Sequence, residues 1–225
     1  MRLRGHPITA LAATAALACA TSGPAAPALV DASAFAPTLA LDLRYAGADN
    51  FVGARIDGYE AARCLLSEPA ARALAAVQAE LAAKGLGLVV FDCYRPQRAV
   101  DHFVRWSHEP ADAARVARHH PNVAKSQLIA QGYIAARSGH SRASTVDVGS
   151  IRLADGAALD LGTPFDFFDP LSHADAPVPE PARTNRAGLA AAMQRHGFTP
   201  YPPEWWHFTL QEEPYPDSYF DLPVR

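Results

Sequence analysis

Apolar positions along this chain fall into short periodic runs, and each run points to one element. From Leu39 to Tyr45 the sequence Leu-Ala-Leu-Asp-Leu-Arg-Tyr alternates as a half-buried strand does, and a loop rich in Gly, Asp and Asn follows. Between Glu68 and Lys84, Leu74, Val77 and Leu81 recur at helical spacing, with Pro69 in the first turn and Gly85 as the stop. Leu86 to Phe91 is then a continuous apolar strand. Two further helices are predicted, Gln97 to Trp106 after Arg95-Pro96 and Ala111 to His119. Thr145 to Leu153 alternates as a strand and is broken by Asp155-Gly156. Thr184 reads as the cap of a helix reaching His196, Gly197 ends it, and Trp205 to Leu210 predicts a last strand. There is no internal repeat and no βαβ rhythm. The mixture predicts an α+β single domain with a mainly antiparallel central sheet flanked by helices, over 39–225.

The N-terminal pattern is different. Arg2 and Arg4 precede an apolar run of small residues and leucine, Ile8 to Ala20, and polar Thr21-Ser22-Gly23 comes next. That is the layout of a secretory signal peptide, 1–22. Ala18-Cys19-Ala20 offers a cleavage pattern, and Ala16-Leu17-Ala18-Cys19 offers an alternative, a lipid anchor at Cys19. Residues 23–38 read as an Ala/Pro-rich tether, too poor in large side chains to pack. The expected location is outside the cytoplasm, periplasmic or lipid-anchored in a bacterial envelope.

Composition narrows the function. Of the 225 residues 47 are alanine, so 49 % hydrophobic overstates the bulky core material. Eighteen of the 20 basic residues are arginine, yet the net charge is −3, which argues against a nucleic-acid surface. No apolar run reaches the roughly 18 to 20 residues that span a bilayer. Removing the leader leaves Cys64 and Cys93, in a compartment where disulfides persist. A helix running out and a strand running back bring both to the same end, which predicts a Cys64–Cys93 disulfide.

Candidate chemistry lies in three segments. In Ser138-Gly139-His140-Ser141-Arg142-Ala143-Ser144-Thr145-Val146-Asp147, a histidine sits in a turn and an aspartate in an apolar strand. A bare carboxylate is costly to bury there, so Asp147 is either a divalent-metal ligand or a strand-edge residue bonded to nearby backbone. In Glu204-Trp205-Trp206-His207-Phe208, His207 faces away from Trp206 and Phe208, and Glu204 at the strand mouth can bend toward the same site. That division suits zinc hydrolysis, with imidazole on the metal and a carboxylate beside it taking a proton from water. Core aromatics with a satisfied histidine are the plainer alternative. In Phe91-Asp92-Cys93-Tyr94-Arg95-Pro96, Arg95 at a strand end either aims a permanent charge at an oxyanion or forms a structural salt bridge.

Together the segments resemble the VanX-type D-Ala-D-Ala dipeptidases, zinc enzymes whose fold is shared with D-Ala-D-Ala carboxypeptidases and the hedgehog signalling domain. The Tyr-Arg-Pro, the His140 to Asp147 motif and the Glu204 to His207 motif occur in the family's order. Further matches run from Asp42-Leu43-Arg44-Tyr45 to Gly162-Thr163-Pro164-Phe165-Asp166 and Ser172-His173, so the resemblance spans about 39–215. It implies one zinc ion per chain on His140, Asp147 and His207, a catalytic carboxylate at Glu204 and a transition-state arginine at Arg95. It also implies that Asp166 binds the free amino group of a small dipeptide, with Ser138 and Tyr45 near the substrate.

Two positions depart from the family. Ala143 stands where glycine is preferred, implying an altered backbone angle, and Thr145 stands where alanine is preferred, implying a narrower or re-aimed site. His119-His120 before Pro121 reads as a solvated pair at a helix end. His102, His108 and His196 read as helix-surface residues, His173 as a loop-fixing one, and Trp106 and Trp205 as core. The leading reading is hydrolysis of D-Ala-D-Ala. The alternatives are a D,D- or L,D-carboxypeptidase acting on peptidoglycan stems and a non-catalytic zinc-binding hedgehog-like module. Oligomeric state is not legible.

Overall fold

The computed structural model describes residues 27–225 together with Met1. The rest of the expected leader, with the Cys19 motif and residues 23–26 of the expected tether, lies outside the described residues.

The chain opens with strand β1 (Leu29–Asp31) and passes through β2 (Ala40–Leu41) to β3 (Leu65–Ser67), which pairs antiparallel with β1. Helix α1 (Glu68–Ala82) follows directly and buries Ala70, Ala71, Leu74, Val77 and Leu81. Each Leu or Val hidden there contributes about 1.5–3 kcal/mol. Gln78, also buried, spans two elements: its Oε1 accepts from the Leu88 N–H at 2.8 Å, and its Nε2 donates to Thr38 Oγ1 at 3.0 Å. Gly85, at φ +72°, turns the chain into β4 (Leu86–Asp92).

After β4 come α2 (Gln97–Ser107), α3 (Ala113–His119), β5 (Thr145–Arg152), α4 (Ala182–Arg195), β6 (Phe198–Pro200) and β7 (His207–Leu210). The central sheet has the order β2-β4-β5-β7-β6; only the β2–β4 pair is parallel. Helices α1 and α4 pack against this sheet and against each other. The first six residues of β5 are buried, so this central strand is covered on both faces. The expected α+β class and mainly antiparallel sheet are both present.

Several expectations need correcting. Residues 29–38 are folded rather than a tether: β1 pairs with β3, and Ala32 and Ala36 are buried. Strand pairing needs backbone rather than bulk, and small alanines allow close approach. The strand expected over 39–45 is confined to Ala40–Leu41, because Arg44–Ala46 turns as a 3-10 helix and carries Tyr45 inward. Helix α4 begins before Thr184, and the Glu180 carboxylate accepts from the Thr184 N–H at 3.2 Å. The last strand starts only at His207, because Tyr201 to His207 forms successive turns closed by Glu204 N–H to Tyr201 O and His207 N–H to Glu204 O.

The histidines at the end of α3 are likewise buried rather than solvated. His119 Nδ1 lies 3.0 Å from the Asp166 carbonyl, and burial lowers its pKa to about 4; His120 Nδ1 lies 2.9 Å from Val123 O.

Cys64 and Cys93 form the expected disulfide, with Cα atoms 5.2 Å apart across 29 residues of sequence. Closing a loop of that length stabilises by roughly 3–4 kcal/mol in the chain-entropy account. The C64A/C93A double variant is therefore expected to melt about 10 °C lower than the oxidised protein, as calorimetry would measure. A shift under about 2 °C would show that the link adds nothing to the fold.

Candidate metal centre and active site

Strand register assembles the site. Asp92 on β4 is opposite Asp147 on β5, and Asp147 is opposite His207 on β7. The flanking Val146, Val148 and Phe208 are buried in the core, so alternation turns the polar side chains to the other face. His140 arrives from the 3-10 turn Gly139–Arg142, which Ser138 opens by accepting the His140 N–H at 3.3 Å.

His140 Nε2, Asp147 Oδ1 and His207 Nδ1 form a triangle with edges of 3.2–3.3 Å. Donors held tetrahedrally at about 2.0–2.1 Å from an ion are separated by about 3.3 Å. Asp147 Oδ1 is buried without a hydrogen-bond partner, as a ligand atom waiting for a cation would be. Among the described residues this is the cluster of three such groups that can hold a metal ion. His140 Nδ1 donates to the Cys93 carbonyl at 2.7 Å, which fixes the ring and leaves Nε2 for the metal. Burial opposes the Asp147 charge, but the two imidazoles hold its carboxyl well below the usual range. Burial also pushes the His207 pKa down, favouring the neutral imidazole that a metal needs.

Around the triangle stand the other expected residues. Glu204 is buried, with Oε2 3.4 Å from His207 Nδ1 and outside the donor set. Burial, helped by the negative charges of Asp147 and Asp166, raises its pKa well above the carboxylate range. Arg95 donates from Nε to Asp92 Oδ2 at 2.9 Å, and its NH2 is 3.5 Å from Asp147 Oδ2. Burial works against its charge, but Asp92 keeps it fully ionised. Its guanidinium lies over the rings of Tyr45 and Phe103, 5.1 Å from each centroid. Tyr45 OH reaches Asp166 at 3.0 Å, and Asp166 is held at φ +57°, with its pKa raised by burial and by Asp147. Tyr45, Arg95, Ser138, Asp147, Asp166, Glu204 and His207 line one cavity of about 320 Å³. That is the small end of the ligand-pocket range, about 300–1,000 Å³.

The two departures resolve in simple ways. Ala143 adopts the left-handed conformation itself, φ +64°, so the loop keeps the angle a glycine would take. Thr145 turns its hydroxyl to Thr209 Oγ1 at 2.9 Å and tightens the β5–β7 pair instead of narrowing the cavity. Asp92 and Tyr59 have no role that the sequence alone assigns. Tyr59 OH donates to Asp92 Oδ1 at 2.6 Å, while Asp92 holds Arg95, so the arginine is braced from behind. The signal was a carboxylate at the end of an apolar strand, three residues before Arg95.

A carboxylate held just off a donor triangle and a cation facing it are what peptide hydrolysis by metal-activated water asks of a protein. The class that this fold and centre define is the metallopeptidases. Within it, the chain belongs to the D-Ala-D-Ala dipeptidase family, whose model matches residues 25–225. Among its relatives, the D-alanyl-D-alanine dipeptidase of Streptomyces coelicolor is 46 % identical over 184 residues, 81 % of this chain and 91 % of that one. The D-alanyl-D-alanine dipeptidase of Enterococcus faecalis is 42 % identical over the same shares. That of Escherichia coli is 37 % identical over 82 % of this chain and 85 % of its own.

The raised Glu204 pKa has a signed consequence for the metal-free protein. Because the folded value lies above the unfolded one, near 4.3, the contribution of Glu204 to stability is complete below about pH 4 and lost as pH rises through the folded value. In excess chelator, E204Q is therefore expected to gain on the wild type in melting temperature between pH 4.5 and pH 8. A gap that stays constant with pH would contradict the assigned shift.

Proposed function

We propose that this chain is an exported zinc enzyme that hydrolyses the free dipeptide D-Ala-D-Ala to two D-alanines. The observation that carries the reading is the His140, Asp147 and His207 triangle sharing one small cavity with Glu204, Arg95 and the Asp166–Tyr45 pair. Family membership and the names of the relatives supply the substrate. Zinc suits a donor set of two imidazoles and one carboxylate, one ion per chain. When bound, it supplies a Lewis acid that brings the pKa of a water to about 7 and polarises the scissile carbonyl.

The remaining steps belong to the chain's own residues. Glu204 takes the proton of the attacking water and delivers a proton to the leaving amine. It is buried at the edge of the donor triangle, with Oε2 3.4 Å from His207 Nδ1, within reach of a water held there. Arg95, kept charged and aimed by Asp92, offsets the negative charge that grows on the carbonyl oxygen. Asp166, with Tyr45 against it, receives the substrate ammonium. That pairing selects for a free N-terminus, because an acylated amine would leave a buried carboxylate without its cation. Export is supported by the charged, apolar and small-residue order of 1–22 and by the Cys64–Cys93 disulfide, with a lipid anchor at Cys19 as the alternative to cleavage.

The test is a comparison of zinc-loaded protein on D-Ala-D-Ala, N-acetyl-D-Ala-D-Ala and a peptidoglycan stem peptide. Turnover is expected on the free dipeptide alone; equal cleavage of the acetylated or stem substrate would overturn the dipeptide reading in favour of a carboxypeptidase. Glu204→Ala is expected to lower kcat by about 10² to 10⁴ while retaining one zinc per chain by elemental analysis. Undiminished turnover in that variant would remove Glu204 from the role of base.

A further inference from the structure

We propose that Arg137 binds the free C-terminal carboxylate of the dipeptide, so that the protein reads both ends of its substrate. The inference rests on the dipeptidase reading and adds to it a residue that the family motifs leave unassigned.

It follows from an account of the charges around the cavity. A free dipeptide carries an ammonium and a carboxylate. Asp166 is assigned to the first, and the second needs a cation with hydrogen-bonding capacity to spare. Three arginines line the cavity, Arg95, Arg137 and Arg142. Arg95 is taken up by Asp92 and lies 3.5 Å from Asp147. Arg142 is taken up by Glu213, to which its Nε and NH2 donate at 2.8 and 2.7 Å, and its NH1 reaches Tyr219 OH at 3.3 Å. Arg137 is exposed and, among the described residues, makes neither an ion pair nor a side-chain hydrogen bond.

Its one side-chain contact of note is a cation–π stack, with the guanidinium carbon 4.7 Å from the centroid of the Tyr219 ring. The same ring lies 5.6 Å from the Arg142 guanidinium. Stacking restrains the long side chain without consuming its N–H donors, so less freedom is lost when an anion arrives. Arg137 also stands immediately before Ser138 and three residues before His140, on the segment that enters the metal centre. Ser138, beside it in sequence, lines the same cavity. A fork of donors here suits a carboxylate, which accepts two N–H bonds at once.

The experiment measures D-Ala-D-Ala and D-Ala-D-alaninamide, the amide as substrate or as competitor, with wild type, R137A and R137K, all zinc-loaded. For R137A the KM for the acid is expected to rise about three- to ten-fold, the scale of a rim charge, with kcat within about two-fold. The amide, which lacks the charge, is expected to respond equally to wild type and R137A, and R137K to recover part of the loss on the acid. Added salt is expected to raise the wild-type KM for the acid more than that of R137A. Equal losses on acid and amide, or no loss on either, would overturn the role of Arg137 while leaving the dipeptidase reading intact. A wild type that cleaves neither compound would overturn both.

Discussion

A carboxylate stands in the middle of a strand covered on both faces, and its Oδ1 has no hydrogen-bond partner. A bare charge in that position is unfavourable by several kcal/mol unless a cation meets it. Much of the structure around Asp147 can be understood as meeting that requirement. Two imidazoles approach from the neighbouring loop and strand, and Arg95 approaches from the end of β4. Buried charge of this kind is poor for stability in the absence of a metal and good for holding one, because the ion returns the desolvation that the fold has already imposed.

The side chains behind the centre form a second constraint. Asp92 is as buried as Asp147 but is fully engaged, by Tyr59 OH on one oxygen and Arg95 on the other. It therefore acts on Arg95 and leaves the donor triangle to the other three. This separates two carboxylates on facing strand positions: one is saturated by protein donors, and the other is left one partner short. The register of β4 against β5 makes the pairing, and the irregularity between Val90 and Asp92 sets where it falls.

Long periodic segments were the most legible in the sequence. The helix from Glu68, the strand from Leu86 and the strand from Thr145 have close to their expected limits, because stripe, stop signal and burial agree in each. Elements decided by tertiary contacts were not legible. Residues 29–38 look unable to pack when judged by side-chain size alone, but β3 supplies a backbone partner for β1. Trp205 and Trp206 read as the start of the last strand, but the bond from His207 N–H to Glu204 O closes them into a turn. At the site, Asp147 is legible because a charge in an apolar run is costly, and His140, His207, Glu204 and Arg95 are legible from the order of their motifs. The role of Tyr59 is not legible because its partner Asp92 lies 33 residues away. His119-His120 was misread because helix-end position was weighed and the packing of Phe51, Trp106 and Phe168 around it could not be seen.

Left-handed backbone at Ala143 links these features. An alanine at positive φ costs about 1–2 kcal/mol relative to ordinary helical geometry. It persists here because the residue is buried and bonded on both sides: its N–H donates to His140 O at 3.0 Å and its carbonyl accepts from the Ser67 N–H at 2.7 Å. Ser67 ends β3, the strand that starts one residue after Cys64, and Ser67 Oγ also meets Ser144 Oγ at 2.9 Å. On the other side of the loop, the Cys93 carbonyl accepts a hydrogen bond from His140 Nδ1. The disulfide thus joins the two segments that grip the His140 loop, one at its metal-facing ring and one at its strained exit. A glycine at position 143 would relieve the backbone but would also leave the loop freer before folding. The alanine is therefore consistent with a loop whose geometry is imposed by its neighbours rather than chosen by its own residues.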